Sequence, residues 1–292
     1  MKPFLKWVGG KTQLLTEIQS RIPETIVTYH EPFLGGGSVL LAILADRAAG
    51  RRTIESVKAS DINPALILLY QTLQTNVDGL IDELQALVDA FAACKGTDVN
   101  RKPASLEEAT SPESYYYWIR AQYNKGAKPV KASAMFLFLN KTCFRGVYRE
   151  GPNGFNVPFG HYKNPGIIDT AHLREVSALL AGVEFTCQPF SKSLSVVSSG
   201  DFVYLDPPYV PLNATSFVGY TADGFSLKDH ETLFAECKAL ASDFLLSNAD
   251  VALVTEAFPP PFVTHRISCR RAIHSKTPNA RANEVLISKE KK

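Results

Sequence analysis

The order in which strand-like and helix-like segments follow one another most constrains the fold of this chain. Residues 26–29 have strand character and lead into a helical stretch at 39–45 and a second strand at 54–59. The next helix opens at Asn63-Pro64, where proline fits because a first-turn N–H has no partner within the helix. This alternation predicts an α/β fold.

The same alternation returns after residue 183, whereas the middle of the chain has a different character. The middle is mostly helical, and residues 140–166 have the glycine, proline and aromatic content of a loop or hairpin. We predict one α/β domain formed by residues 1–75 and 183–292, with a mostly helical insertion at 76–182. The further strand candidates are 183–187, 202–205, 244–247, 263–269 and 284–287, and the further helix candidates are 11–22, 78–93, 114–122, 130–139 and 226–241.

Composition narrows the class of protein. The chain is 45% hydrophobic and 21% charged, which is ordinary for a globular protein. No apolar run approaches the roughly 18 residues of a membrane span, and residues 1–7 lack the apolar core of a signal peptide. The five cysteines are scattered without a C-x-x-C pair, which argues against a disulfide framework or a zinc site. We therefore expect a cytoplasmic protein, a monomer, with no membrane or metal partner.

Charge is distributed unevenly although the net charge is only +2. Residues 120–163 carry eight Lys or Arg against one acid, and residues 264–292 carry eight against two. Residues 75–118 instead carry eight acids and three bases. Segregated positive charge suggests a binding surface for a polyanion, although solvated surface charge explains either basic segment taken alone.

The segment Asp206-Pro207-Pro208-Tyr209 ends a short apolar strand. Neither proline can donate to a β-ladder, so the strand stops and leaves backbone carbonyls free beside the carboxylate. A carboxylate, a proline carbonyl and an aromatic ring together suit a planar base that carries an exocyclic amino group. The alternative is an ordinary exit from a strand with a surface tyrosine.

A glycine-rich turn, Glu31–Ser38, lies between a strand and a helix. Glycines there allow a ligand to approach the backbone, and the helix N-terminus offers free N–H groups. Asp61 ends the next strand, where a carboxylate can bind a ribose hydroxyl. The turn is not a P-loop, since no G-K-[ST] follows, and a simple helix cap would also explain it.

Taken together, these segments closely resemble the Dam-type DNA adenine methyltransferases. The matching pieces occur in the family's order over nearly the whole chain. They are F-L-K-W-x-G-G-K at 4–11, E-P-F-x-G-x-G-S at 31–38, S-D-I-N at 60–63, L-N-K-T-C-F-R-G-V-Y-R at 139–149, G-F-N-V-P-F-G-x-Y-K at 154–163, D-P-P-Y at 206–209 and L-S-N at 246–248.

The resemblance implies a Rossmann-like sheet that binds S-adenosylmethionine as methyl donor. Phe190 would pack on the cofactor's adenine, or be an ordinary core phenylalanine. The catalytic residues would be Asp206, Pro207, Pro208 and Tyr209. The cofactor residues would be Trp7, Lys11, Glu31, Pro32, Phe33, Gly35, Gly37, Ser38, Asp61, Ile62, Phe190 and Asp206.

The resemblance also implies that the insertion binds double-stranded DNA. Phe144 would intercalate, and Arg149 would read a guanine. In the enterobacterial pattern a Y-N-G stands where this chain has Phe144-Arg145-Gly146, and the turn at 150–154 is one residue shorter here. GATC, or a longer site containing GAT, is the expected target. Further DNA contacts are expected from Lys6, Asn140, Arg145, Val147, Asn156, Pro158, Tyr162 and Lys163.

The mechanism implied is direct methyl transfer to the amino group of an adenine flipped out of the duplex. None of the five cysteines follows a proline, which argues against a cytosine carbon-5 methylase. An RNA or protein amino-group methyltransferase and a binding module without catalysis remain alternatives. A dinucleotide-dependent oxidoreductase would use the glycine-rich turn but leaves the segment 206–209 unexplained.

Overall fold

The computed structural model describes residues 1–211, 224–270 and 281–289, which form two compact units. The unit that we call helical comprises Met1–Gly10, Gly35–Leu41 and Asn63–Ala181, and the sheet unit comprises Lys11–Leu34, Ala42–Ile62 and Gly182–Lys292. The helical unit ends within one residue of the predicted end of the insertion. It also takes in residues 1–10, 35–41 and 63–75, which the sequence had grouped with the sheet.

The sheet unit is built on seven strands, which confirms the predicted Rossmann-like α/β class. The strands are β1 Thr25–Glu31, β2 Thr53–Asp61, β5 Val183–Cys187, β6 Phe202–Leu205, β7 Asp243–Ala249, β8 Phe262–Arg270 and β9 Arg281–Lys289; β3 Glu150–Gly151 and β4 Gly154–Phe155 belong to the helical unit. The order in the sheet is β5-β2-β1-β6-β7-β9-β8. The first five strands of that order are parallel, and β9 runs antiparallel to both β7 and β8.

Burial explains why the central strands read as apolar runs. All four residues of β6 are buried, and so are all residues of β7 after Asp243. Strands covered on both faces need apolar side chains on both faces. Leu205, Leu246 and Ile287 pack in one core with Leu233 and Phe234 of the helix that follows Ser226.

Among the described residues, three of the four helices that lie wholly in the sheet unit are only four or five residues long. The first covers only Leu15–Gln19 of the predicted 11–22. At and beyond its end, the Arg52 guanidinium donates to the carbonyls of Gln19, Ile22 and Pro23 at 2.5–2.6 Å. The helices of the sheet unit are α1 Leu15–Gln19, α8 Phe190–Leu194, α9 Leu227–Ala239 and α10 Ala252–Thr255, while α2 Ser38–Ala48 begins in the helical unit and continues into the sheet unit.

The helical unit has an aromatic core. The rings of Phe91 and Tyr115 contact Phe138 at centroid distances of 5.4 and 5.8 Å. The sequence did not predict the helix after Asp169, whose buried side chains are only Leu173 and Val176. The helices are α3 Pro64–Thr75, α4 Val77–Ala93, α5 Pro112–Lys125, α6 Pro129–Thr142 and α7 Thr170–Leu179. Within the described residues, every helix is too short or too polar to cross a lipid bilayer.

Asp201 holds the entrance of β6 against β1. Its buried carboxylate accepts from the backbone N–H of Thr28 at 3.0 Å, from the N–H of Ser198 at 2.8 Å and from His30 Nε2 at 3.1 Å. Burial raises the pKa of Asp201, but the hydrogen bonds from Ser198 and His30 hold it below its usual value.

We expect Asp201→Ala to destabilise the protein, because three buried donors would lose their acceptor. The loss should be about 3 kcal/mol, or a fall of about 6–12 °C in the thermal midpoint. Differential scanning fluorimetry measures this shift. The control is Glu55→Ala, at an exposed position of β2, which should change stability by less than about 0.5 kcal/mol. Equal midpoints for the two variants would contradict the assignment.

Candidate active site and nucleic-acid interface

Parallel pairing brings three acidic residues to one edge of the sheet. β1 ends at Glu31, β2 ends at Asp61, and Asp206 directly follows β6. Because β1 pairs in parallel with both β2 and β6, all three residues leave the sheet at its carboxyl edge. Ligands of open α/β sheets bind at this edge. Two of these three acids were predicted from their position after a strand, and Glu31 from the resemblance.

Asp206 and Lys11 form an ion pair in the interior of the sheet unit. Lys11 Nζ lies 2.8 Å from Asp206 Oδ1, and the two side chains are 6% and 19% exposed. Burial raises the pKa of the Asp206 carboxyl; the charge of Lys11 opposes this shift, and the negative charge of Glu284 adds to it. Lys11 Nζ also lies 4.7 Å from the centre of the Tyr209 ring. Asp206 is thus a shielded acceptor beside an aromatic face.

The residues after the two prolines are fixed by side chains from neighbouring strands. The Tyr209 hydroxyl donates to Glu284 Oε2 at 2.6 Å, and the N–H of Val210 donates to Asn248 Oδ1 at 3.0 Å. Burial, followed by the charges of Asp206 and Glu284, raises the pKa of Tyr209 well above its usual value, so the phenol keeps its proton. Glu284 was not predicted from the sequence, since a single glutamate within a strand carries no motif.

A group of aromatic rings follows the end of β1. Phe33 stacks on Phe190 at 5.6 Å with an interplanar angle of 27°, and Phe225 meets Phe33 edge-on at 5.8 Å. Pro32 beside them is buried, while Ile62, next to Asp61, is 69% exposed. Flat apolar faces next to a carboxylate edge suit a planar heterocycle joined to a polyol.

In the helical unit, the glycine-rich turn lies against two aromatic side chains. A Cβ at Gly35 would come within 3.0 Å of the Trp7 indole, and one at Gly37, whose φ is +64°, would meet the Tyr70 hydroxyl. The Trp7 ring also stacks on Tyr148 at 5.9 Å. The turn therefore requires glycine for packing as well as for any ligand. Ser38 follows it as the first residue of α2 and is buried.

Asn140 fastens the segment around Lys6 to α6. Its Oδ1 accepts from the Lys6 N–H at 2.8 Å, and its Nδ2 donates to the Lys6 carbonyl at 2.6 Å. The Lys6 ammonium donates to the Lys141 carbonyl at 3.1 Å and lies 3.8 Å from the centre of the Tyr162 ring. Asn140 itself is only 3% exposed, so among these residues Lys6 and Tyr162 form the accessible pair.

The loop after α6 presents an exposed aromatic ring. Phe144 is 47% exposed, and the Arg145 guanidinium lies 5.1 Å from the centre of its ring. Arg149 precedes the β3–β4 hairpin, and its Nε donates to Asn156 Oδ1 at 2.6 Å. The remaining predicted contact residues of this region are Val147, which is half-buried, and Pro158 and Lys163, which are exposed.

Within each unit, most of the predicted residues lie together. The sheet unit gathers the acids, Lys11, Tyr209 and the aromatic pair, and the helical unit gathers the exposed cationic and aromatic side chains. No group of three or more His, Cys, Asp or Glu side chains that could hold a metal ion occurs among the residues that the structure describes. Of the basic segment 264–292, residues 271–280 and 290–292 lie outside the described residues.

Comparison with known proteins identifies the family of this chain. The family model of the D12 class N6 adenine-specific DNA methyltransferases matches residues 7–273. The type II methyltransferase M.MjaIII of Methanocaldococcus jannaschii is 40% identical, with 85% of this chain and 84% of the relative covered. The DNA adenine methylases of Haemophilus influenzae and Escherichia coli K12 are 32% and 31% identical; the matches cover 88% and 94% of this chain, and 82% and 90% of the relatives.

Proposed function

Since this chain belongs to the D12 class of N6 adenine-specific DNA methyltransferases, we propose that it methylates a flipped adenine within one short duplex site. The methyl donor in this proposal is S-adenosylmethionine. The observation that carries it is the corner formed by Asp206, Pro207 and Tyr209. There a buried carboxylate and an aromatic ring, the latter fixed through its hydroxyl, follow the end of a central parallel strand.

The residues of the sheet unit fit S-adenosylmethionine. Asp61 can accept from the ribose hydroxyls, and the stacked rings of Phe33 and Phe190 offer an apolar face to the adenine. The resemblance adds Trp7 and the turn residues Glu31, Pro32, Gly35, Gly37 and Ser38, together with Lys11 and Ile62. When bound, the cofactor supplies a methyl group on a sulfonium sulfur.

In this proposal the corner at 206–209 orients the target amino group. The flipped adenine stacks on Tyr209, and its amino group donates to the Asp206 carboxylate and the Pro207 carbonyl. These acceptors favour a tetrahedral nitrogen with its lone pair directed at the methyl group, and they stabilise the positive charge that develops there. With the cofactor bound, the amino nitrogen would accept the methyl group as the bond to the sulfonium sulfur breaks, and its extra proton would pass to Asp206, whose raised pKa suits a proton acceptor.

The helical unit is proposed to hold the DNA. Phe144 would fill the gap that the flipped base leaves, and Lys6, Arg145 and Lys163 would neutralise phosphates. Arg149 would read a guanine, with Asn156 holding its guanidinium. Tyr162, Val147 and Pro158 would line the same surface, while Asn140 would act by holding the backbone of residue 6. GATC, or a site containing GAT, is the proposed target.

The test of this function is methylation of a long unmethylated duplex, followed by sequencing that maps every N6-methyladenine. We expect methylation confined to one short motif, and none with Asp206→Ala. Asp206→Asn keeps one acceptor oxygen but cannot take up the proton, so its kcat should fall by at least about 100-fold. Unchanged activity in Asp206→Ala, or methylation of RNA in preference to duplex DNA, would refute the proposal.

The Lys11–Asp206 pair should set the acid limb of the pH profile. Burial raises the pKa of Asp206 and Lys11 opposes this shift, so Lys11→Met should raise the pKa further. Activity that needs the carboxylate is present above this pKa and is lost as pH falls through it. The midpoint of the kcat profile at saturating cofactor should therefore move to higher pH in Lys11→Met. An acid limb at the same pH in both proteins would contradict the pairing.

Variants of Arg149 and Lys163 form a matched pair that distinguishes reading of a base from binding of the phosphate backbone. Loss of a bidentate contact to guanine costs about 1–3 kcal/mol and relaxes discrimination at that base. Arg149→Ala should therefore accept substitutions at one position of the motif, whereas Lys163→Ala should weaken binding equally for all sequences and reduce its salt dependence. Competition binding with single-base variants of the site, at several salt concentrations, separates the two. Unchanged discrimination in Arg149→Ala would remove the guanine-reading role.

A further inference from the structure

Tyr209 has a partner that no motif of the sequence includes. Its hydroxyl donates to Glu284 Oε2 at 2.6 Å, and the phenol is held in its protonated, donating form by its buried, negatively charged surroundings. A tyrosine ring without such an anchor can tilt about its side-chain bonds. The carboxylate therefore restricts the orientation of the ring against which the target base would stack.

The topology of the sheet explains how Glu284 reaches this position. β7 runs towards the carboxyl edge and ends at Ala249, and β9 runs antiparallel to it, so that Glu284 lies opposite Ala249. The beginning of β9 is thereby placed at the same edge as the end of β6. Glu284 is also paired with Ile267 on the other side, so it lies on an inner strand whose backbone is hydrogen-bonded on both sides.

A second contact from the neighbouring strand supports the same segment. Asn248, which is fully buried on β7, accepts the N–H of Val210 through its Oδ1. Successive residues, Tyr209 and Val210, are thus held by side chains from two adjacent strands. Such a frame is what a ring needs if it is to present one face to a base in a fixed orientation.

Glu284 also contributes negative charge close to Asp206. Lys11 is paired with Asp206 at 2.8 Å, and Glu284 lies close enough to Asp206 for its charge to act on that carboxyl. The Asp206 carboxyl is therefore subject to the opposing charges of Lys11 and Glu284.

We propose that Glu284 is a positioning residue of the methyl-transfer step, which acts by fixing the Tyr209 ring through the phenolic hydrogen bond. This inference rests on the proposed function, because it assigns the Tyr209 ring to the target adenine. Glu284 touches neither the base nor the methyl donor in this role. Its effect should appear in kcat and in the flipped-base signal, and cofactor affinity should stay unchanged.

The experiment compares Glu284→Ala, Glu284→Gln, Tyr209→Phe and the double variant Tyr209→Phe/Glu284→Ala. A hydrogen bond to a charged group corresponds to about 10- to 100-fold in rate, so Glu284→Ala and Tyr209→Phe should each lower kcat by that factor. The double variant should be no slower than the slower single variant, because both changes remove one interaction. Glu284→Gln keeps an acceptor oxygen and should recover most of the rate.

Two further readouts separate positioning from a structural effect. A duplex with 2-aminopurine at the target position should show a weaker or altered fluorescence rise with Glu284→Ala, while calorimetric affinity for S-adenosylmethionine stays at its wild-type value. Glu184→Ala, at an exposed acid of β5, serves as the control and should behave as wild type.

Several outcomes would overturn the inference. They are a wild-type kcat for Glu284→Ala, multiplicative losses in the double variant, or a loss in Glu284→Ala that Glu284→Gln does not recover. A wild-type protein that methylates no adenine would refute the proposed function itself. Adenine methylation by wild type with unaffected Glu284 variants would refute only the role of Glu284.

Discussion

Parallel pairing of β1 with β2 on one side and β6 on the other determines where the chemistry of this protein can lie. Three acids belong to three different segments of the chain, yet they emerge side by side because the strands run in the same direction. The backbone ladder is sufficient to produce this convergence. Stability and site geometry are therefore coupled: Asp201, which secures the entrance of β6 to β1, helps to determine where Asp206 emerges.

At this edge of the sheet, the buried charges of Lys11 and Asp206 neutralise each other. Lys11 and Asp206 are both shielded from solvent, and an unpaired charge there would be strongly destabilising. Their ion pair, with Lys11 Nζ 2.8 Å from Asp206 Oδ1, fixes the position of the carboxylate. Together with the anchored Tyr209 and the rigid prolines, this produces a corner whose shape is set before any ligand arrives. Preorganisation of this kind is how a site can align a weak nucleophile such as an aromatic amine.

Much of this could be predicted from the sequence, for identifiable reasons. The order of strands and helices followed from their periodicity, and segment 206–209 was visible because its two prolines must end a strand. The antiparallel placement of β9 between β7 and β8 could not be predicted, since pairing partners are chosen by tertiary packing. Glu284 was missed for the same reason, and Asn140 was assigned to DNA although its amide holds the backbone of Lys6. Local signals identify elements and turns, but the partner of a side chain depends on topology.

The order of the strands in the sheet affects how the protein can fold while it is being synthesised. β9 is synthesised after β8 yet lies inside it in the sheet, and among the described strands β8 pairs only with β9. During synthesis, β5, β2, β1, β6 and β7 can therefore pair with one another before β9 is available to pair with β8. Such a partly paired sheet already contains Lys11 and Asp206, but the Tyr209 hydroxyl does not yet have Glu284 as its hydrogen-bond acceptor. The Tyr209–Glu284 hydrogen bond can therefore form only once β9 has joined the sheet.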